Sequence, residues 1–232
     1  MRQQQITADI PAGQAWLPGT LTLPENPRGV VAVAHGSGSN RLSARNTYVA
    51  GLLQREGIAT LLFDLLTSQE DQHPEARFNI ELLAERLLMA TAWLKERPEC
   101  AGLALAYYGA STGAAACICA AAELGDEIRA IVSRGGRPDL AGTESLRRLV
   151  SPTLLIVGGD DHVVLQLNRQ AYALVGSDNG RPSGCDKELA IVPGASHLFE
   201  ESGTLEQAAH HAVHWFSRWL GRTAQQDPRA AG

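Results

Sequence analysis

Short apolar runs alternate with helix-period segments along almost the whole chain, and this alternation restricts the fold more than any other feature. Residues 29–35 (GVVAVAH) are a continuous apolar run of β-branched character, as strands covered on both faces require, and 58–65 (IATLLFDL), 103–109 (LALAYYG), 128–133 (IRAIVS), 153–159 (TLLIVGG) and 188–192 (ELAIV) read as further strands. Between and after them, residues 43–56, 79–97, 111–124, 142–149, 163–175 and 203–220 read as helices, with apolar residues at helical spacing. Gly57 and Pro98 supply stop signals for the first two. Residues 3–9 and 16–23, separated by Pro11-Ala12-Gly13, read as an opening pair of strands. Such alternation implies right-handed βαβ crossovers, hence an α/β fold with a mostly parallel sheet of about eight strands and helices on both faces.

At 232 residues the chain fits one large domain. We expect residues 1–222 to form it and residues 223–232 to be a disordered tail. A net charge of −5 without any Lys/Arg run argues against nucleic acid or an anionic membrane as partner. No apolar stretch reaches the roughly 18 residues of a spanning helix. The opening MRQQQITAD has no apolar signal region, so a cytoplasmic location is expected. Cys117 and Cys119 are two apart on a predicted helix and point different ways, so with Cys100 and Cys185 they are expected to be free thiols. His210 and His214 have a metal-ligand spacing but no adjacent Glu. With Trp215, Phe216 and Trp219 around them, they belong to an amphipathic helix packed on the sheet. No metal or organic cofactor is expected, and either a monomer or a homodimer is compatible with the residues.

In open α/β sheets the chemistry gathers beyond the carboxyl ends of the strands. After the 103–108 strand comes Gly109-Ala110-Ser111-Thr112-Gly113, a G-x-S-x-G between a buried strand and an alanine-rich helix. In that context the motif means a sharp turn that holds the Ser111 hydroxyl exposed at the head of a helix. A serine hydroxyl needs a base, and the base an orienting acid. The 153–159 strand is followed by Asp160-Asp161-His162, and the 188–192 strand by Pro193-Gly194-Ala195-Ser196-His197. His197 is the candidate base, and either aspartate could be the acid; His162 would have to reverse direction to reach Ser111. Backbone N–H donors for a tetrahedral oxyanion are expected from Thr112 and from Ser37, in the loop His35-Gly36-Ser37-Gly38-Ser39. That loop lacks the lysine of a G-x-x-x-x-G-K-[ST] phosphate loop.

Together HGSGS, GASTG, GGDDHVV and PGASHLF resemble the α/β-hydrolase superfamily, and most of all its small, lidless branch related to dienelactone hydrolase. The likeness extends over roughly residues 16–220. It implies Ser111 as nucleophile, His197 as base and an acid three residues past the glycine that ends the late strand, in a G-x-x-D-x-V-V pattern. Gly158, Asp161 and Val163-Val164 fit, so the resemblance selects Asp161. Dienelactone hydrolases carry cysteine at the elbow, whereas this chain has Ser111, which moves the expected substrate from a lactone to a small soluble carboxylic ester. Only 18 residues separate Ser133 from Pro152, too few for an inserted cap domain.

Thioesters, lactones and amides are alternative substrates for the same triad, and a non-catalytic binding module on this fold is the rival of another class. His35, Arg134 and Arg77 are candidate substrate contacts on the rim, with Arg134 or Arg77 able to hold a carboxylate. The bland alternative pairs such an arginine with Asp64 or Asp139. Asp64 is expected to order the loop below the oxyanion site, and the acidic segment 66–76 to be a mobile rim loop.

Overall fold

The computed structural model describes residues 3–178, 180 and 184–221. Its elements are β1 (Gln3–Ala12), β2 (Ala15–Pro24), β3 (Val30–Ala34), α1 (Ala44–Arg55), β4 (Ala59–Phe63), α2 (Pro74–Arg77), α3 (Ile80–Lys95), β5 (Leu105–Ala110), α4 (Thr112–Leu124), β6 (Ile128–Arg134), α5 (Gly142–Arg148), β7 (Thr153–Gly158), α6 (His162–Leu174), β8 (Lys187–Val192) and α7 (Thr204–Leu220). The eight strands form one sheet in the order β1-β2-β4-β3-β5-β6-β7-β8. β1–β2 and β2–β4 are antiparallel, and every pairing from β4 through β3 to β8 is parallel. The expected α/β architecture and strand count therefore hold. The expected tail, 223–232, lies outside the described residues, as does the last residue of the expected domain.

Period-two alternation divides the core between the two faces of the sheet. Val30, Ala32 and Tyr107 face the side covered by α3, α4 and α5, whereas Val31, Val33 and Tyr108 face α1 and α7. The central strand β3 is apolar and buried at every position because both faces are covered. α7 carries Trp215, Phe216 and Trp219 inward while His210 and His214 stay exposed, and no metal-binding cluster occurs among the described residues. Cys100, Cys117, Cys119 and Cys185 form no disulfide with one another; burial pushes the Cys100 thiol up to about 11. Among the described residues no helix is long and apolar enough to cross a membrane.

The acidic segment departs from expectation. Residues 66–76 are not a loose rim: Glu70 accepts from the Thr67 N–H at 2.8 Å and from Arg86 Nη2 at 2.9 Å. Burial alone would raise the Glu70 carboxyl, but these donors together hold it below its ordinary value. Asp64 does order its loop, accepting from the Arg41 N–H at 2.7 Å and from Arg41 Nη1 at 2.6 Å.

Candidate active site

The parallel strands end at one edge, and the loops leaving β3, β5, β6, β7 and β8 meet there. Between β5 and α4 the chain turns so tightly that Ser111 takes φ 50° and ψ −120°, a region that costs a non-glycine residue about 1–3 kcal/mol. Gly109 and Gly113 permit this turn. A Cβ on Gly109 would lie 2.5 Å from the Ala114 Cα, and one on Gly113 would lie 2.2 Å from the Ala34 carbonyl oxygen. The strain is held by the Ser111 carbonyl, which accepts from the Ala114 and Arg137 N–H groups, each at 3.1 Å. Thr112 opens α4, so its N–H has no intrahelical acceptor.

Asp161 follows β7 at the head of α6, and His197 lies in the loop after β8. Their side chains meet, with His197 Nδ1 2.7 Å from Asp161 Oδ2. A carboxylate only accepts, so Nδ1 carries the proton and Nε2 of the neutral ring keeps a lone pair. Asp160 is exposed and His162 is exposed; neither reaches the imidazole. Two local devices aim the histidine loop. The Ser196 N–H donates to Glu201 Oε2 at 3.0 Å, and Phe199 is buried at φ 56°, a conformation rare for a bulky side chain.

Ser111 and His197 line one cavity of about 360 Å³, together with the 36–39 loop, the first turn of α1 and Arg134. No Ser111–His197 hydrogen bond is formed among the described residues; such bonds commonly tighten only when substrate is bound.

Arg134 is the rim residue the structure brings into this cavity. It is 6% exposed. Its Nε donates to Tyr108 Oη at 2.9 Å and its guanidinium lies 5.4 Å from the Phe199 ring centroid. Neither acid suggested by the bland alternative holds it: Asp64 binds Arg41, and Asp139 binds Arg137.

Three other expected contacts have polar groups engaged within the protein. The Ser37 N–H, expected to face an oxyanion, donates to Thr112 Oγ1 at 3.0 Å. Both ring nitrogens of His35 are engaged within the protein: Nε2 accepts from the Leu65 N–H at 3.0 Å, leaving Nδ1 to donate to the Gly36 carbonyl at 3.0 Å. Burial keeps this ring neutral by lowering its pKa, and its work is to fix the β3 loop. Arg77 is held by Asp71, with Nε 3.0 Å from Oδ1, and lines a small separate void behind the loop.

Asn46 is the cavity residue that motif reading missed. It is 2% exposed, lines the cavity, and its side-chain amide has no partner among the described residues. A signal was present: Asn46 heads the buried stripe Asn46, Val49, Ala50, Leu53 of α1, a polar residue where the helical period calls for an apolar one.

No protein-family model matches the chain. It is 53% identical over 216 residues to a Mycobacterium tuberculosis protein provisionally named a phosphoribosyl transferase, found in strains H37Rv and CDC 1551. That match takes in 93% of this chain but spans only 46% of the relatives' length. Among solved structures, a dienelactone hydrolase from Anabaena variabilis is 45% identical, with TM-score 0.87 over 95% of this chain and 100% of that one. Est1E from Butyrivibrio proteoclasticus shares the fold at 14% identity and TM-score 0.77, over 93% of this chain and 99% of its own. The whole-length likeness at 45% identity, on the same eight-stranded frame, places this chain in the α/β-hydrolase superfamily, in the branch of dienelactone hydrolase and its relatives.

Proposed function

We propose that this hydrolase cleaves small carboxylic esters through an acyl-enzyme on Ser111, with His197 as general base and Asp161 as its orienting acid. The observation that carries the reading is the 2.7 Å Asp161–His197 hydrogen bond on the rim of the cavity that the strained Ser111 also lines. His197 Nε2 takes the Ser111 proton as the hydroxyl oxygen adds to the ester carbonyl. The resulting oxyanion is stabilised by the Thr112 N–H and by the positive end of α4. The imidazolium then protonates the departing alkoxide, and the C–O bond to the alcohol breaks. Water, deprotonated by the same imidazole, attacks the acyl-enzyme and releases the acid.

Because the Ser37 N–H is engaged with Thr112 Oγ1, its role in this scheme is to tie the β3 loop to the head of α4, which sets the width of the oxyanion site. The transferase name belongs to proteins more than twice as long as this chain's match; the machinery assembled here suits acyl transfer to water.

Ser111→Ala should lower kcat for p-nitrophenyl acetate by about 10⁴-fold or more and abolish fluorophosphonate labelling of the intact protein. Undiminished labelling, located by mass spectrometry on another residue, would refute the assignment. A panel of matched esters, thioesters, lactones and amides ranks the leaving groups.

A further inference from the structure

A polar side chain enclosed in a fold is costly wherever one of its hydrogen-bonding atoms goes unpaired. α6 carries such a residue. Its buried stripe is Val164, Leu165, Asn168 and Ala171, and Asn168 is 0% exposed. Its Nδ2 donates to the Gly136 carbonyl at 2.9 Å and to the Val164 carbonyl at 2.8 Å, whereas Oδ1 has no partner among the described residues. Turning the amide over would set Oδ1 against two carbonyls, so the neighbours themselves dictate that the NH₂ faces them. A leucine would continue the apolar stripe with no unpaired atom, so the packing of α6 does not account for an asparagine here.

The Gly136 carbonyl belongs to the segment 134–137, where the chain leaves β6 and meets both the elbow and the histidine loop. The Ser111 N–H donates to the Arg134 carbonyl at 3.3 Å, and the Arg137 N–H donates to the Ser111 carbonyl at 3.1 Å, so the segment holds both backbone groups of the strained serine. Gly135, at φ 50°, comes so close to the histidine loop that a Cβ on it would stand 3.1 Å from the His197 carbonyl oxygen and 3.8 Å from His197 Cε1. Its own N–H donates to the Ile156 carbonyl of β7 at 2.8 Å. Asn168 adds the link to the acid. Asp161 stands at the head of α6, and its carbonyl accepts the first intrahelical bond from the Leu165 N–H at 2.8 Å. Asn168 lies about two turns further along the same helix, and from there it reaches across to Gly136.

We infer that Asn168 is a positioning residue for the triad: its amide clamps the 134–137 segment to the helix that carries Asp161, so that the elbow, the histidine loop and the acid are held as one unit. This rests on the proposed hydrolase reading and goes beyond it by naming a residue away from the cavity wall that sets the alignment of the Asp161–His197 pair with the Ser111 hydroxyl. Such alignment is exacting, since a displacement of about 1 Å can cost about 100-fold in rate. The clamp touches neither substrate nor reacting atoms, so its loss slows the chemistry and leaves substrate binding as it was.

Asn168→Ala should lower kcat for p-nitrophenyl acetate about 30-fold and change KM by less than about twofold. Leu165→Ala, which truncates another buried side chain of the same helix, is the packing control: it should lower Tm at least as much, with kcat within about threefold of wild type. In an Asp161→Asn background the Asn168→Ala loss should shrink to under about threefold, because no acid is left to align. A readout independent of turnover is the downfield proton resonance of the Asp161–His197 hydrogen bond, which should shift or broaden in Asn168→Ala and stay unchanged in Leu165→Ala. Asn168→Leu, which keeps most of the volume, should show the same kcat loss and serves if Asn168→Ala does not fold. A kcat loss no larger than that of Leu165→Ala, a loss that multiplies in full with that of Asp161→Asn, or an unchanged resonance would overturn the clamp, as would failure of both Asn168 variants to fold. Absence of turnover and of fluorophosphonate labelling in the wild-type protein would instead sink the hydrolase reading, and the resonance alone would then decide the clamp.

Discussion

Two buried arginines occupy opposite regions of this molecule and are treated differently. On the flank where α3 packs against the β1–β2 hairpin, Arg86 donates to the Ala12 carbonyl at 2.6 Å and to Glu70 at 2.9 Å. At the carboxyl edge of the sheet, Arg134 has a neutral phenol, an aromatic face and no acid. The flank arginine meets a carbonyl and a carboxylate through Nη1 and Nη2, although its Nε has no partner among the described residues. The cavity region leaves donors open, and it also carries two non-glycine residues at positive φ, Ser111 and Phe199. Unmet donors and strain gathered at one edge suggest a region shaped for something other than stability, whereas the flank is shaped for stability itself.

If that contrast is correct, cavity variants should lose rate and keep stability, and flank variants should do the reverse. The largest effect is expected from Asp161→Asn, which removes the ionised acceptor at His197 Nδ1 and should cut kcat by about 10³–10⁴-fold. Its melting temperature should stay near that of the wild type, so a large fall in Tm would break the comparison. Next comes Arg86→Ala, expected to cost about 2–3 kcal/mol and lower Tm by roughly 4–12 °C, with ester kcat close to wild type; denaturant unfolding and initial rates check the two halves. Arg134→Gln should leave stability level or raise it by up to about 1 kcal/mol, since it removes an uncompensated buried charge. A loss as large as that of Arg86→Ala would mean that the two sites are alike after all.

The smallest effect concerns pH. The folded Glu70 carboxyl is held below its ordinary value, so its contribution is complete above the unfolded carboxyl's pKa, roughly 4.3, and disappears as pH falls through the lower folded value. The stability difference between wild type and Glu70→Gln should therefore be present at pH 7, under about 1 kcal/mol for this partly exposed pair, and shrink progressively in acid below the unfolded carboxyl's value. Unfolding curves at pH 7 and in acid measure it.

Much of this was legible in the residues because local chemistry dictates it. Runs such as GVVAVAH and TLLIVGG can only be covered strands, and Gly109 and Gly113 around Ser111 announce the tight turn that their backbone contacts now explain. Asp161 was separable from Asp160 only by resemblance; the structure adds the contact itself. The segment 66–76 misled, because nothing in its acidic composition shows that Arg86, sixteen residues past Glu70, would reach back and pin it. The Ser37 contact was out of sight for the same reason: its N–H donates to Thr112 Oγ1, 75 residues away.

The order and type of elements, the elbow and the supply of hydroxyl, imidazole and carboxylate after successive strands were determined by the sequence alone, since they follow from periodicity and from residues adjacent in the chain. Which charges are matched and which are left open was decided only by tertiary structure. Pairing depends on contacts between residues tens of positions apart, such as Arg134 with Tyr108 and Phe199. Those contacts come from strand register and from the face on which each side chain emerges, and a one-residue change in either would have turned Arg134 away from the cavity.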